Sequence, residues 1–256
     1  MRGYLLLTEA RSGSNWLGSL INQSQDMGRS TEWLSPKLHG LDMGALSWDA
    51  FFAEVIRKCS TPNGVFGMKI FPNQLFVTRE RYSRDFIRHC LCEHETAIVF
   101  LRRRDTLRQA ISFARARQTR AFAAHHGAKA EPRYDFEQIA RCFFYIRESY
   151  GFWQGYLDLL GVPFTEFAYE DLANDPSPFI AHIAGQLRVS PPATAETTMT
   201  VQRDDLTEEW IARFNEDCSS GDLLKAYDRR EHIPGKMRNF AKLATGKLKP
   251  RYPFAF

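Results

Sequence analysis

Arg11, Ser12, Gly13, Ser14 and Asn15 stand together near the start of the chain, between an apolar run, Tyr4-Leu5-Leu6-Leu7, and residues at helical spacing, Trp16, Leu17, Leu20 and Ile21. Four apolar residues suffice for a buried strand, so the polar run is read as a strand-to-helix loop. The first turn of a helix carries N–H groups with no partner inside the helix, and the helix dipole adds partial positive charge there. Such a loop binds anions. Arg11 adds a full charge with several donors, Ser12 and Ser14 add hydroxyls, and Gly13 lets the backbone come close to a bound group. The chemistry within reach is the cradling of a phosphate or sulfate. The pattern G-x-x-x-x-G-K-[ST] of nucleotide triphosphatases is absent, because the run has one glycine and no Lys before its second serine.

Further cations recur at the ends of other apolar runs. Val65-Phe66-Gly67-Met68-Lys69-Ile70-Phe71 follows the turn Thr61-Pro62-Asn63-Gly64 and predicts a second strand, with Lys69 toward its end. Thr96 to Leu101 is apolar on both faces, as a central parallel strand should be, and runs into Arg102-Arg103-Arg104-Asp105. Asp105 or Thr106 can cap the helix that follows, which carries Leu107, Ala110, Ile111 and Ala114 on its inner face. A helix around Leu75 to Cys90, a long amphipathic helix from Asp135 to Leu160, a fourth strand from Phe164 to Tyr169 and a helix from Pro178 to Leu187 complete the pattern. Strands alternating with helices predict an α/β fold: a mainly parallel central sheet flanked by helices, with ligands at the carboxyl ends of its strands. Arg11, Lys69 and Arg102 to Arg104 all fall at such ends.

Composition sets the outer limits. The 256 residues, 44% hydrophobic, are enough for one main domain, and the net charge of +4 favours anionic ligands only mildly. Neither an apolar stretch of membrane-spanning length nor a signal-peptide pattern is found, and five cysteines without disulfide-like regularity agree with a reducing compartment, so a cytoplasmic location is expected. His89-Cys90-Leu91-Cys92-Glu93-His94 contains ligating residue types, but C-x-C without a second pair lacks zinc spacing, and no metal is expected. From Gly221 onward basic residues dominate, which allows weak contact with an anionic membrane surface or a solvated terminus. The division read here is a domain over residues 1–217 and a basic C-terminal extension over 218–256.

With these residues in view, the chain resembles the sulfotransferases. Arg11-Ser12-Gly13-Ser14-Asn15-Trp16-Leu17 is similar to their 5′-phosphosulfate loop, Arg103 followed by Ser112 to their 3′-phosphate site, and Tyr169-Glu170-Asp171-Leu172 with Asp175-Pro176 to a segment after a late strand. Closer still is the Stf0-type, P-loop-like branch that contains trehalose 2-sulfotransferase. Glu32-Trp33, Thr61 to Gly67 with Lys69 and Asn73-Gln74, Arg103 with Asp105, Gln109-Ala110 and Ser112, Gln118-Thr119-Arg120, then Gln202, Glu209-Trp210 and Arg213-Phe214 resemble that branch in order. The likeness runs from Tyr4 to Asp217. Two positions depart: where the trehalose enzyme has a Gln before the loop arginine and an acidic residue ahead of its glutamate, this chain has Ala10 and Arg29.

The resemblance implies 3′-phosphoadenylyl sulfate (PAPS) as co-substrate, no metal, and a carbohydrate or glycolipid acceptor such as a lipopolysaccharide-type saccharide, with a homodimer as the assembly. It assigns Arg11, Ser12, Gly13, Ser14, Asn15 and Trp16 to the phosphosulfate, Arg103 and Ser112 to the 3′-phosphate with Arg104 as a possible substitute, and Arg11 and Lys69 to charge stabilisation. Glu32 becomes the general base, because the position two beyond the strand lysine, a His in many cytosolic sulfotransferases, is Phe71 here. Trp33 offers an aromatic face for the C–H side of a sugar ring, or equally a place in the core. From the residues alone two other classes stay open: a P-loop small-molecule kinase, and a basic nucleic-acid-binding module using the arginine-rich helix around Arg108, Arg115, Arg117 and Arg120 together with the tail.

Overall fold

The computed structural model describes residues 1–35, 39–121, 130–192 and 205–227. Gln202, the His125-His126 pair and most of the basic extension, from 228 onward, lie outside them. In chain order the named elements are β1 (Arg2–Leu7), α1 (Ser14–Ile21), α2 (Trp48–Cys59), β2 (Val65–Ile70), α3 (Pro72–Tyr82), α4 (Phe86–Glu93), β3 (Glu95–Arg102), α5 (Thr106–Thr119), α6 (Phe136–Leu160), β4 (Phe164–Ala168), α7 (Tyr169–Leu172), α8 (Ser177–Leu187), α9 (Asp205–Asp217) and α10 (Leu223–Tyr227). They pack as two units. The first takes residues 1–104 and 149–192, and the second takes 105–121, 130–148 and 205–227.

The first unit holds the sheet, four parallel strands in the order β2-β1-β3-β4. Every residue of β2 and all of β1 beyond Arg2 is buried, because helices cover both faces of the two strands; this is why they read as unbroken apolar runs. Tyr4, Leu6, Val99 and Leu101 share one core with Leu17, Leu20 and Ile21 of α1 and with Phe179, Ile180 and Ile183 of α8. Full burial of each such side chain contributes about 1.5–3 kcal/mol, so three core residues on an eight-residue helix hold α1 against the sheet more firmly than its own propensity would.

Strand order decides where a ligand can sit. The chain passes from β1 to β2 on one side and then crosses to β3 on the other, so the direction reverses between β1 and β3. In open parallel sheets a crevice opens at that point, beyond the carboxyl ends of the strands. The loops leaving β1 and β3 flank it. Thr8 ties them together: its Oγ1 lies 2.7 Å from the carbonyl oxygen of Leu101 and 2.7 Å from Ser12 Oγ. A hydroxyl has one proton, so Thr8 donates to Leu101 and Ser12 donates to Thr8.

One predicted element differs. The helix expected from Leu75 to Cys90 is two helices, because Ser83 adopts a left-handed conformation at φ 53° and Asp85 then caps α4, accepting from Arg88 N at 3.1 Å. Ser and Asp favour such local turns over continued helix. Asp85 also accepts from Tyr156 Oη at 2.9 Å, which ties this break to the part of α6 in the same unit.

In the second unit Asp105 caps α5, accepting from Arg108 N at 2.9 Å, one of the two caps anticipated. Arg108 reaches Asp105 and Glu208, and Arg115 donates to Thr207 Oγ1 at 2.8 Å, so both arginines are engaged by α9. Phe136 stacks on Phe214 with ring centroids 5.0 Å apart, and Tyr134 donates to Asp217 at 2.7 Å.

Candidate active site

The loop after β1 has the local geometry an anion cradle needs. Arg11 is left-handed at φ 63° and Gly13, at φ 88°, caps α1, with its carbonyl accepting from Leu17 N at 3.1 Å. Gly13 is required twice over. Its positive φ favours glycine, and a Cβ there would come within 2.3 Å of the Tyr169 ring. Ser12 and Ser14 are buried. Trp153 Nε1 donates to the carbonyl of Thr8 at 2.9 Å and pins the strand end from which the loop departs.

The loop after β3 brings its middle arginine to the same place. Arg103 Nη1 lies 3.5 Å from the Arg11 carbonyl, its guanidinium sits 4.9 Å above the Tyr169 ring, and Tyr150 Oη accepts from its backbone N at 3.1 Å. Arg103 also reaches Glu170 at 3.8 Å, a carboxylate it shares with Arg104, but its side chain is 15% exposed where those of Arg102 and Arg104 are 47% and 53%. Arg102 pairs with Glu166, and Arg104 pairs with Asp171 while its backbone N donates to Glu170 at 3.0 Å. Tyr169 also meets Trp16 edge-on, with centroids 6.1 Å apart. A single aromatic ring therefore touches Gly13, Trp16 and Arg103. Sequence reasoning names Tyr169 only within the segment after the late strand, without a contact of its own; its place directly after β4, at the sheet's carboxyl edge, is the signal that could have found it.

Glu32 and Lys69 meet on the other side of β1. Gly28 makes this possible: at φ 74° a Cβ would lie 2.4 Å from Gly67 N, so only glycine lets the loop after α1 close onto β2. Lys69 N then donates to the Thr31 carbonyl at 2.9 Å, setting the next residue, Glu32, beside the strand's end. Lys69 Nζ lies 3.0 Å from Glu32 Oε1 and also donates to Asn15 Oδ1 in the first turn of α1. The lysine side chain is 4% exposed and that of the glutamate 22%, so the carboxylate faces outward and the ammonium stands behind it. A buried ammonium is costly unless paired. Glu32 and Asn15 supply its partners.

Trp33 Nε1 donates to the Arg29 carbonyl at 2.6 Å, and its ring stacks on His39 with centroids 4.0 Å apart. Burial, with help from nearby Lys58 and against the pull of Glu32, holds the His39 imidazole below its ordinary pKa. Ser112 lies on α5 in the second unit, partly buried. Within the first unit the structure thus gathers Arg11 to Trp16 with Arg103, and Glu32 with Lys69 and Asn15. The His89–His94 stretch goes into packing: both histidines lie against Phe52, and Cys90 is buried. Among the described residues no cluster of metal-ligating types occurs, and no helix is long and apolar enough to cross a membrane.

The model of the Stf0 sulphotransferase family matches residues 3–217. The chain belongs to that family. Two proteins similar to it are trehalose 2-sulfotransferases. That of Mycobacterium tuberculosis (strain ATCC 35801 / TMC 107 / Erdman) is 25% identical over 165 residues, 60% of this chain and 62% of that one. That of Mycolicibacterium smegmatis (strain ATCC 700084 / mc(2)155) is 24% identical over 174 residues, 64% of this chain and 65% of that one. The match thus spans less than two thirds of either relative's length. Among solved structures, the sulfotransferase domain from the curacin biosynthetic pathway aligns at 12% identity and a TM-score of 0.48, over 98% of this chain and 99% of that one. A sulfotransferase from Alicyclobacillus acidocaldarius aligns at 15% identity and a TM-score of 0.43, over 90% and 96%.

Proposed function

We propose that this Stf0 family member moves a sulfuryl group from PAPS to a hydroxyl of a carbohydrate or glycolipid, by in-line displacement with Glu32 as general base. The observation that carries the reading is the buried Lys69 ammonium, which touches Asn15 of the anion loop and Glu32 at once. Donor and acceptor chemistry would meet at that cation.

Sulfuryl transfer, like phosphoryl transfer, passes through a loose transition state whose charge spreads over the transferred and leaving oxygens, so positioning and electrostatics do most of the work. In this reading Arg11 and the N–H groups of Gly13 to Asn15 hold the phosphosulfate. The acceptor oxygen bonds to sulfur as its proton passes to Glu32, and the bond from sulfur to the 5′-phosphate oxygen breaks. Its electron pair stays on the phosphate, giving 3′-phosphoadenosine 5′-phosphate (PAP). Lys69 and Arg11 stabilise the charge that develops there. Arg103, rather than the outward Arg104, takes the 3′-phosphate. Ser112 joins it on the strength of the family likeness. Trp33 lines the acceptor side.

The relatives sulfate trehalose, which supports a saccharide acceptor, while Ala10 and Arg29 stand where the trehalose enzyme differs, so the acceptor here need not be trehalose. Residues 1–217 would form the catalytic domain, with 218–256 as a basic extension able to touch an anionic membrane. Five free cysteines favour a reducing, cytoplasmic setting, and a homodimer follows from the likeness alone. The test is calorimetry with PAP, followed by a screen of saccharides with labelled PAPS. Label transferred to a sugar supports the proposal. Stabilisation by ATP exceeding that by PAP would favour a small-molecule kinase instead, and RNA or DNA retention surviving Arg11→Ala would favour a nucleic-acid module.

A further inference from the structure

Gln74 occupies the third position of α3, one turn beyond the end of β2, and is buried. Its side chain makes two contacts that fix which way the amide points. Phe71 N–H donates to Oε1 at 3.2 Å, so the other end, Nε2, is the one that donates to Glu32 Oε2 at 3.0 Å. The amide orientation is thereby set by a backbone donor, with no freedom to flip.

Glu32 is consequently gripped at both oxygens, Oε1 by the Lys69 ammonium and Oε2 by the Gln74 amide. Each partner is a donor. Were the Gln74 contact missing, the carboxylate could turn about its last torsion and offer both oxygens to Lys69, as a bidentate pair. Held at both ends, it keeps a lone pair of fixed direction for an incoming hydroxyl. We propose that Gln74 is a positioning residue, which aims the Glu32 carboxylate and prevents its collapse onto Lys69. This rests on the reading of Glu32 as the base.

The experiment compares Gln74→Met, similar in length but without a donor, Gln74→Glu, isosteric but anionic, and Glu32→Gln, all in the full chain. PAP release from PAPS is followed with trehalose as the probe acceptor and water as the alternative hydroxyl. In parallel, carboxyl-labelled glutamate reports the titration of Glu32 by NMR, its resonance identified by its loss in Glu32→Gln. Both Gln74 variants are expected to lower kcat by about fivefold or more while PAP affinity stays within about threefold, since the effect is on orientation and not on donor binding. In Gln74→Glu the second carboxylate opposes ionisation of the first, so the Glu32 titration and the acid limb of the rate profile move up by about one pH unit or more. A smaller fall in kcat, or a Glu32 titration that does not move in Gln74→Glu, overturns the inference. If Gln74→Met fails to fold, Gln74→Glu decides by itself, and the titration reads out whatever the acceptor proves to be. A Glu32→Gln enzyme that keeps its rate would overturn the base assignment; a rate lost there but kept in both Gln74 variants would overturn the role of Gln74 alone.

Discussion

Lys69 Nζ lies 3.0 Å from Glu32 Oε1 while donating to Asn15 Oδ1, so one buried cation links the first turn of α1 to the loop that follows that helix. The proposed function requires that cation. Lys69→Met keeps most of the side chain's volume and removes its charge, and it should lower kcat for sulfuryl transfer about a hundredfold or more. Lys69→Arg should not restore it, since a planar guanidinium cannot occupy a site shaped around a compact ammonium. Steady-state kinetics with labelled PAPS check both, and a Lys69→Met enzyme within threefold of wild type would remove the lysine from the mechanism.

The second prediction concerns Gly13, whose missing side chain makes room for Tyr169. Gly13→Ala combines a left-handed backbone, strained by on the order of 1–2 kcal/mol for a residue with a Cβ, with a clash against the ring. Melting temperature should fall, and PAP affinity should weaken at least tenfold as the loop shifts. Calorimetry and thermal unfolding on one sample separate the two effects; unchanged PAP affinity would mean that the loop is not the donor site.

Arg103 and Arg104 should behave differently. In the proposed function Arg103, held over Tyr169 beside the Arg11 carbonyl, takes the 3′-phosphate, so Arg103→Ala should cost PAP binding about 1.5–3 kcal/mol, as expected for a hydrogen bond to a charged group. It should also abolish the preference for PAP over AMP. Arg104→Ala loses only an exposed pair with Asp171 and should leave PAP binding nearly unchanged. The reverse ranking in a titration would reassign the 3′-phosphate.

The Trp33–His39 stack should respond to pH. Burial lowers the pKa of His39 in the folded chain, so folding favours the neutral ring. The stabilising contribution is therefore complete above the ordinary value near ~6.5, and is lost as pH falls through the lower folded value. Tryptophan fluorescence of Trp33 should change on acidification below about pH 6.5, and the same change should be missing in His39→Gln. A transition that persists in the variant belongs to another group.

The sequence made the strand-to-helix loop from Thr8 to Gly13 legible because its parts are local: the apolar run, the polar turn and the helical spacing adjoin one another. Lys69 and Arg103 were legible for a related reason, since a parallel sheet sends the ends of its strands to one edge. The contacts that join these parts were hidden. Glu32 and Gln74 are 42 positions apart, and only the closure of the Gly28 loop onto β2 brings them together. The choice between Arg103 and Arg104 depends on how the chain turns after β3, which spacing does not report. The break at Ser83 was missed because apolar residues continue at helical intervals on both sides of it.

The most direct test is isothermal titration of the full-length protein with PAP, alongside AMP and ATP. A pocket spanning Arg11 and Arg103 predicts PAP binding at micromolar Kd, with AMP at least tenfold weaker for want of a 3′-phosphate, and with binding lost in an Arg11→Ala, Arg103→Ala double variant that still unfolds cooperatively. Folded wild-type protein that shows no heat with PAP at about a hundred micromolar, or that binds ATP more tightly than PAP, would contradict the account.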